Sequence, residues 1–176
     1  MNSAPIRRQR GLTLIETSIV LAVAAIVVGA VAPSFQQARE RRHLEGVAAQ
    51  METDFAHTRS LAVARNQTLR VNFASASCYV VHTGGATDCR CSADGSASCS
   101  SGAEVLRVVQ LDAGVPVTMQ SNSRSIAFDA IKGTVTPTAT VQVLARSGAS
   151  IRNIVNIMGR VRNCSPAPGL PGYARC

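Results

Sequence analysis

Three groups of residues in this sequence have types and spacings that can do chemistry. Near the C-terminus, GRVRNCSPAPGLPGYARC puts Arg160 and Arg162 two positions apart behind Gly159, with Arg152 upstream and Arg175 in the tail. Residues two apart in a strand project from one face, so this pair offers two guanidiniums about 7 Å apart, a match to adjacent phosphates along a nucleic-acid strand. Gly159 is a position where another backbone can approach closely. Such contacts hold a duplex without reading its bases. With 3% aromatic residues and no Trp, the chain lacks a stacking platform for single strands.

The second group is a lone acid in an apolar run. From Leu12 to Ala32 there are 21 residues with one charge, Glu16. As a helix this stretch is about 32 Å long, the thickness of a bilayer core. A carboxylate there costs on the order of 2.5 to 3.5 kcal/mol at mid-membrane and less near the interface, so Glu16 needs a cation. The run is preceded by Arg7, Arg8 and Arg10, which fix the head in the cytoplasm. A secretory signal is cut after its apolar stretch, whereas here the cleavable segment, RQRG, precedes it. Cleavage after Gly11 frees an amine on Leu12, four positions from Glu16, on the same chain or on a neighbour in an assembly.

The third group is six cysteines, Cys78, Cys89, Cys91, Cys99, Cys164 and Cys176, whose number in a short Ser- and Gly-rich chain points to oxidation outside the cytosol. A zinc site fits poorly: Cys89 and Cys91 form C-x-C rather than the standard spacing, and no fourth ligand is near. Six cysteines allow 15 pairings. Pairing by proximity joins Cys78 to Cys89, Cys91 to Cys99 and Cys164 to Cys176. The last closes a 13-residue tail containing Pro166, Pro168 and Pro171, worth about 3 kcal/mol in the chain-entropy account.

These groups need elements to position them, and 176 residues suffice for one core plus an extended element. Leu44, Val47, Ala48, Met51, Phe55, Thr58 and Ala62 recur at steps of three or four, with Arg41, Glu45, Glu52 and Arg59 off that stripe. The spacing predicts an amphipathic half-helix, residues 33–66, continuing the apolar half; together they span roughly 80 Å. Its stripe is core packing, and His43 and His57 are surface or packing residues. Beyond Asn66 the period changes to two. Leu69, Val71 and Phe73 alternate with polar residues, followed by strand candidates Tyr79–His82, Val105–Leu111, Val115–Met119, Ser125–Phe128, Thr140–Leu144 and Asn153–Val161. These make an antiparallel sheet or sandwich, so the fold class is α+β. The stretch from Thr83 to Gly102 reads as a loop held by disulfides rather than by burial.

Charge and chemistry then exclude whole classes of function. Net charge is +8, and beyond Asp129 there are six Lys or Arg residues and no acid, which suits a polyanionic partner. No nucleophile, base and orienter set, phosphate loop or metal cluster can be assembled, so an enzyme is excluded and no cofactor is expected.

Gly11, Leu12, Thr13, Leu14, Ile15 and Glu16 resemble the class III signal of type IV pilins and pseudopilins, with Leu12 where Phe is usual. Pro33 falls where the helices of that family carry a proline that kinks or locally melts them. The stretch HTRSLAVARNQTLRVNF further resembles the FimT/GspH branch, and Gly159, Arg160, Val161 and Arg162 match the GRxR signature of FimT-like minor pilins that bind DNA in natural transformation. The resemblance implies the type IV pilin fold, a leader of residues 1–11 cut and N-methylated by a prepilin peptidase, and a membrane and assembly segment, 12–32. It also implies a soluble β domain, 67–176, facing the periplasm or cell surface. Expected partners are other pilins, the prepilin peptidase, the inner membrane before assembly, and duplex DNA bound without sequence preference. The alternatives are a GspH-like minor pseudopilin of a type II secretion system and a pilus-priming structural subunit.

Overall fold

The computed structural model describes residues 11, 13–92, 94–100, 102–111, 114 and 117–176, with backbone alone at 30–33. Arg7, Arg8, Arg10 and Leu12 lie outside the described residues. The described residues form one helix, α1 (Leu14–Ala64), and eleven strands. It divides into two compact units, residues 1–38 and 39–176.

In the first unit the helix is apolar and uncovered: every described side chain from Thr13 to Gly29 is exposed. Its length and composition are those of a membrane-crossing helix. Its start is capped, because the Glu16 N–H donates to Thr13 Oγ1 at 3.3 Å and places Glu16 in the first turn, where the helix dipole favours an acid.

In the second unit, the stripe Leu44, Ala48, Met51, Phe55, Thr58 and Ala62 is buried. The helix ends in a Schellman turn: Asn66 adopts φ 49°, its N–H reaches the Val63 carbonyl at 3.2 Å, and the Gln67 N–H reaches that of Ala62 at 3.0 Å. The chain then turns directly into β1 (Leu69–Ser75) and β2 (Cys78–His82), followed by β3 (Cys89–Cys91), β4 (Ala97–Cys99), β5 (Val105–Gln110), β6 (Val117–Ser121), β7 (Ser125–Phe128), β8 (Val135–Thr136), β9 (Ala139–Ala145), β10 (Ser150–Val155) and β11 (Val161–Cys164). They build a five-stranded sheet in the order β5-β2-β1-β7-β8, a four-stranded sheet β11-β10-β9-β6, and the hairpin β3-β4. Both larger sheets contribute to one core with α1, including Leu69, Val71 and Tyr79 from the first and Val141, Val143 and Ile151 from the second.

Three expectations change. The strand expected over Asn153–Val161 is instead β10, a turn over residues 156–160, and β11, because Asn156 and Gly159 supply turn geometry that a pure alternation count overlooks. The stretch Thr83–Gly102 is not held by disulfides alone. It contains the hairpin β3-β4, which buries Cys78, Val80 and Cys89 in a second small core, so β2 is buried along its whole length. The pairings Cys78–Cys89 and Cys91–Cys99 are replaced by Cys78–Cys91 and Cys89–Cys99, beside Cys164–Cys176. Cys89 stands directly opposite Cys99 in the hairpin register and Cys91 opposite Ala97. Joining Cys91 to Cys99 would need a two-residue slip, and the intact register leaves Cys91 for Cys78 on β2.

Buried polar groups fasten the sheets to α1. Asp54, on the buried stripe at 2% exposure, accepts from Tyr79 Oη at 2.6 Å and Gln50 Nε2 at 2.9 Å and pairs with Arg107 Nε at 3.1 Å. Burial and the bond to Asp54 push the Tyr79 hydroxyl far above its ordinary pKa. From the other sheet, Asn153 Nδ2 donates to the Ala48 carbonyl at 2.9 Å. Asp54→Ala should lower unfolding free energy by about 2–4 kcal/mol, since it orphans Tyr79, and Tyr79→Phe by about 1–3 kcal/mol. Urea denaturation of residues 39–176, which hold all of the buried core, measures both; losses under about 0.5 kcal/mol would show that the pair does not hold the sheet to the helix.

Candidate nucleic-acid interface

The basic run lies on the β10-β11 hairpin and the tail behind it. The turn closes by Gly159 N–H to the Asn156 carbonyl at 2.9 Å and by Arg160 N–H to Asn156 Oδ1 at 3.0 Å. Gly159 has φ 71°, in the left-handed region, and a Cβ there would sit 2.6 Å from the Gly133 carbonyl oxygen and 2.7 Å from Arg59 Cδ. The backbone approaching Gly159 is therefore the protein's own, and Gly159 is buried. Its part in the motif is to shape the turn rather than to touch a ligand. Arg160 leaves that turn just before β11, so its position relative to Arg162 is set by the turn and not by strand spacing.

Arg160 and Arg162 are exposed, with Val161 half-buried between them. Register pairs Ile154 with Arg162 and Arg152 with Cys164, so Arg152 and Arg162 are diagonal neighbours on the sheet face opposite Asn153 and the helix. Arg152 is half-buried, its Nε 3.4 Å from Gln142 Oε1. The tail returns to the same strand end: Cys176 is bonded to Cys164, the Ser165 N–H donates to the Ala174 carbonyl at 2.9 Å, and Arg175 bridges Ser165 and stays exposed. The ion pairs among the described residues are Arg41–Glu45, Arg65–Glu104 and Arg107–Asp54. None involves the four C-terminal arginines.

The residues that hold this surface in place escaped sequence reasoning. Arg59 Nε donates to the Gly133 carbonyl at 3.0 Å beneath the hairpin turn, Glu52 accepts from Asn163 Nδ2 on β11, and Arg41 donates to the Pro171 carbonyl at 2.8 Å. All three helix residues flank the buried stripe, where periodicity marks them only as polar. The Asn156 and Gly159 pair did carry a signal, the turn chemistry of N-x-x-G. Among the described residues no group of His, Cys, Asp or Glu could hold a metal. His82, buried in β2, accepts from the Gly84 N–H at 3.0 Å, and burial lowers its pKa below the ordinary value.

A family model for the type II transport protein GspH matches residues 47–159, and the prokaryotic N-terminal methylation motif matches residues 6–32. No curated protein matches significantly. Among solved structures, the type IV minor pilin FimU of Pseudomonas aeruginosa is similar with a TM-score of 0.53 at 17% identity, covering 76% of this chain and 96% of that one. The minor pseudopilin EpsH of the Vibrio cholerae type 2 secretion system is similar with a TM-score of 0.50 at 11% identity, covering 71% and 98%. At these identities the likeness is one of fold, that of the type IV pilins. The GspH match stops at Gly159, so Arg160, Arg162 and Arg175 lie beyond it.

The geometry separates the glycine from the arginines. Gly159→Ala should cost about 2 kcal/mol or more of stability, because a Cβ is both strained and obstructed there. Arg160→Ala and Arg162→Ala should stay within about 0.5 kcal/mol. Urea midpoints of the three variants decide it, and an unshifted Gly159→Ala midpoint would mean that the turn relaxes freely.

Proposed function

Because the chain belongs to the GspH family of pilin-like subunits, we propose that it joins a type IV pilus as a minor subunit and holds duplex DNA, without sequence preference, through Arg160, Arg162, Arg152 and Arg175 during DNA uptake. Its family and fold are those of pilins and pseudopilins, which are structural subunits rather than enzymes. The observation that carries the DNA reading is electrostatic: Arg160, Arg162 and Arg175 are exposed along the edge strand β11, from the residue before it to the tail that bridges Ser165 just after it, with no acidic partner among the described residues. Unpaired surface cations gain by replacing the counterions of a polyanion.

Under the same reading, a prepilin peptidase cuts after Gly11 and methylates the Leu12 amine. Residues 12–32 then hold the subunit in the inner membrane with the second unit in the periplasm, and Glu16 pairs with a neighbouring amine during assembly. Gly11→Val should leave residues 1–11 attached when the chain is co-expressed with a prepilin peptidase, as intact mass would show. Unchanged processing would place the cut elsewhere.

The GspH match favours a second reading, a minor pseudopilin of a type II secretion system, with pilus priming as its pilus counterpart. The full chain in nanodiscs of zwitterionic lipid, titrated with duplex DNA across a salt series, separates them. DNA capture predicts a slope of log affinity on log salt of about −3 to −4, falling in magnitude by about 2 in the Arg160→Ala, Arg162→Ala variant. Equal binding by both proteins, or none, favours the secretion reading, in which deletion abolishes export and spares transformation.

A further inference from the structure

Among the described residues of 39–176, the large apolar side chains that are exposed are concentrated at one place. They are Val63, Val105, Ile131, Ile157 and Met158, and all except Val105 lie on three segments in mutual contact. The helix end meets the β7-β8 turn through Arg59 Nε and the Gly133 carbonyl at 3.0 Å. That turn meets the β10-β11 turn at Gly159, and the Val135 N–H donates to the Ile157 carbonyl at 2.9 Å.

Both turns are rigidly built. Asp129 Oδ1 accepts the N–H groups of Ile131 and Lys132 at 3.0 and 2.8 Å, and Gly133 closes the turn with φ 61°. In the second turn Asn156 Oδ1 accepts the Arg160 N–H at 3.0 Å, and Gly159 closes the turn with φ 71°. The side chains thus held outward are 77% exposed at Ile131, 61% at Ile157 and 55% at Met158. Fixed, clustered aliphatic groups in water gain the fold nothing, which marks a contact surface.

The charge beside them selects the occupant. Lys132 and Arg160 are exposed next to the aliphatic residues, and the acid of these turns, Asp129, already accepts two backbone N–H groups. A second copy docked tip to tip would oppose these cations to their equivalents. A polyanion with an apolar interior is complementary to both features, and Arg160 already belongs to the surface assigned to DNA. Resting on that assignment, we infer that Ile157 and Met158, with Ile131 beside them, form an apolar wedge that enters the minor groove of the duplex held by Arg160 and Arg162 and partly unstacks one base step. Aliphatic side chains between base steps kink duplexes in this way, at a cost that falls where the step is already weakened.

The test uses the full chain in nanodiscs and a duplex carrying 2-aminopurine at a central TA step, with a second duplex bearing one mismatch there. Wild type should raise the 2-aminopurine fluorescence and bind the mismatched duplex about tenfold more tightly than the matched one. The Ile157→Ser, Met158→Ser variant should lose both effects and keep the salt slope, while Arg160→Ala, Arg162→Ala should bind both duplexes more weakly and with a salt slope smaller by about 2. If wild type binds with an arginine-dependent salt slope but shows no fluorescence rise and no mismatch preference, the wedge is overturned and DNA capture stands. A serine variant that keeps both effects also overturns it. So does one that binds DNA as wild type does but no longer enters pili, which would make the tip a protein contact. Absence of any DNA binding overturns the wedge and the DNA reading together.

Discussion

Half of one helix has to serve two sheets at once. Leu44, Ala48, Met51, Phe55 and Ala62 leave no exposed surface on the stripe, and the residues packed around them come from both larger sheets. Apolar burial of this kind is strong but not directional, so it fixes proximity rather than register. Direction comes from the polar bonds at the same stripe, Tyr79 to Asp54 from one sheet and Asn153 to the Ala48 carbonyl from the other. A buried carboxylate is tolerated because its oxygens have partners, and those partners are what hold each sheet at one place along the helix.

The flanks of the same helix segment position the basic surface. Arg41 reaches the tail at Pro171, Glu52 reaches β11 at Asn163, and Arg59 reaches the Gly133 carbonyl beneath the hairpin turn. Strand β11 is the edge of its sheet and carries only four residues, so β10 pairing alone would leave it weakly held. The helix contacts and the Cys164–Cys176 bond supply the rest. The arginines can then remain unpaired without loosening the structure, because other residues do the fastening.

On the far side of the five-stranded sheet, the hairpin β3-β4 plays a comparable part for β2. Two disulfides and the Asn72 side chain, which donates to the Ala86 and Cys89 carbonyls, lay a Ser- and Gly-rich segment over Val80 and His82. A chain poor in aromatic residues thus gains a second covered face from small side chains and sulfur.

How much of this was legible beforehand follows from the range of the forces involved. The apolar run, the stripe from Leu44 to Ala62 and the change of period after Asn66 are local patterns, and they determined one long helix followed by antiparallel β structure. The arginines were legible as residue types, because charge without a nearby acid is visible in one dimension. Tertiary structure alone decided that Gly159 is buried on Arg59, that Asn153–Val161 breaks into two strands, and that Cys89 faces Cys99. It also decided that Asp54 lies inside. Each of these depends on which distant backbone arrives opposite a residue, and spacing along the chain does not encode register between strands far apart in sequence.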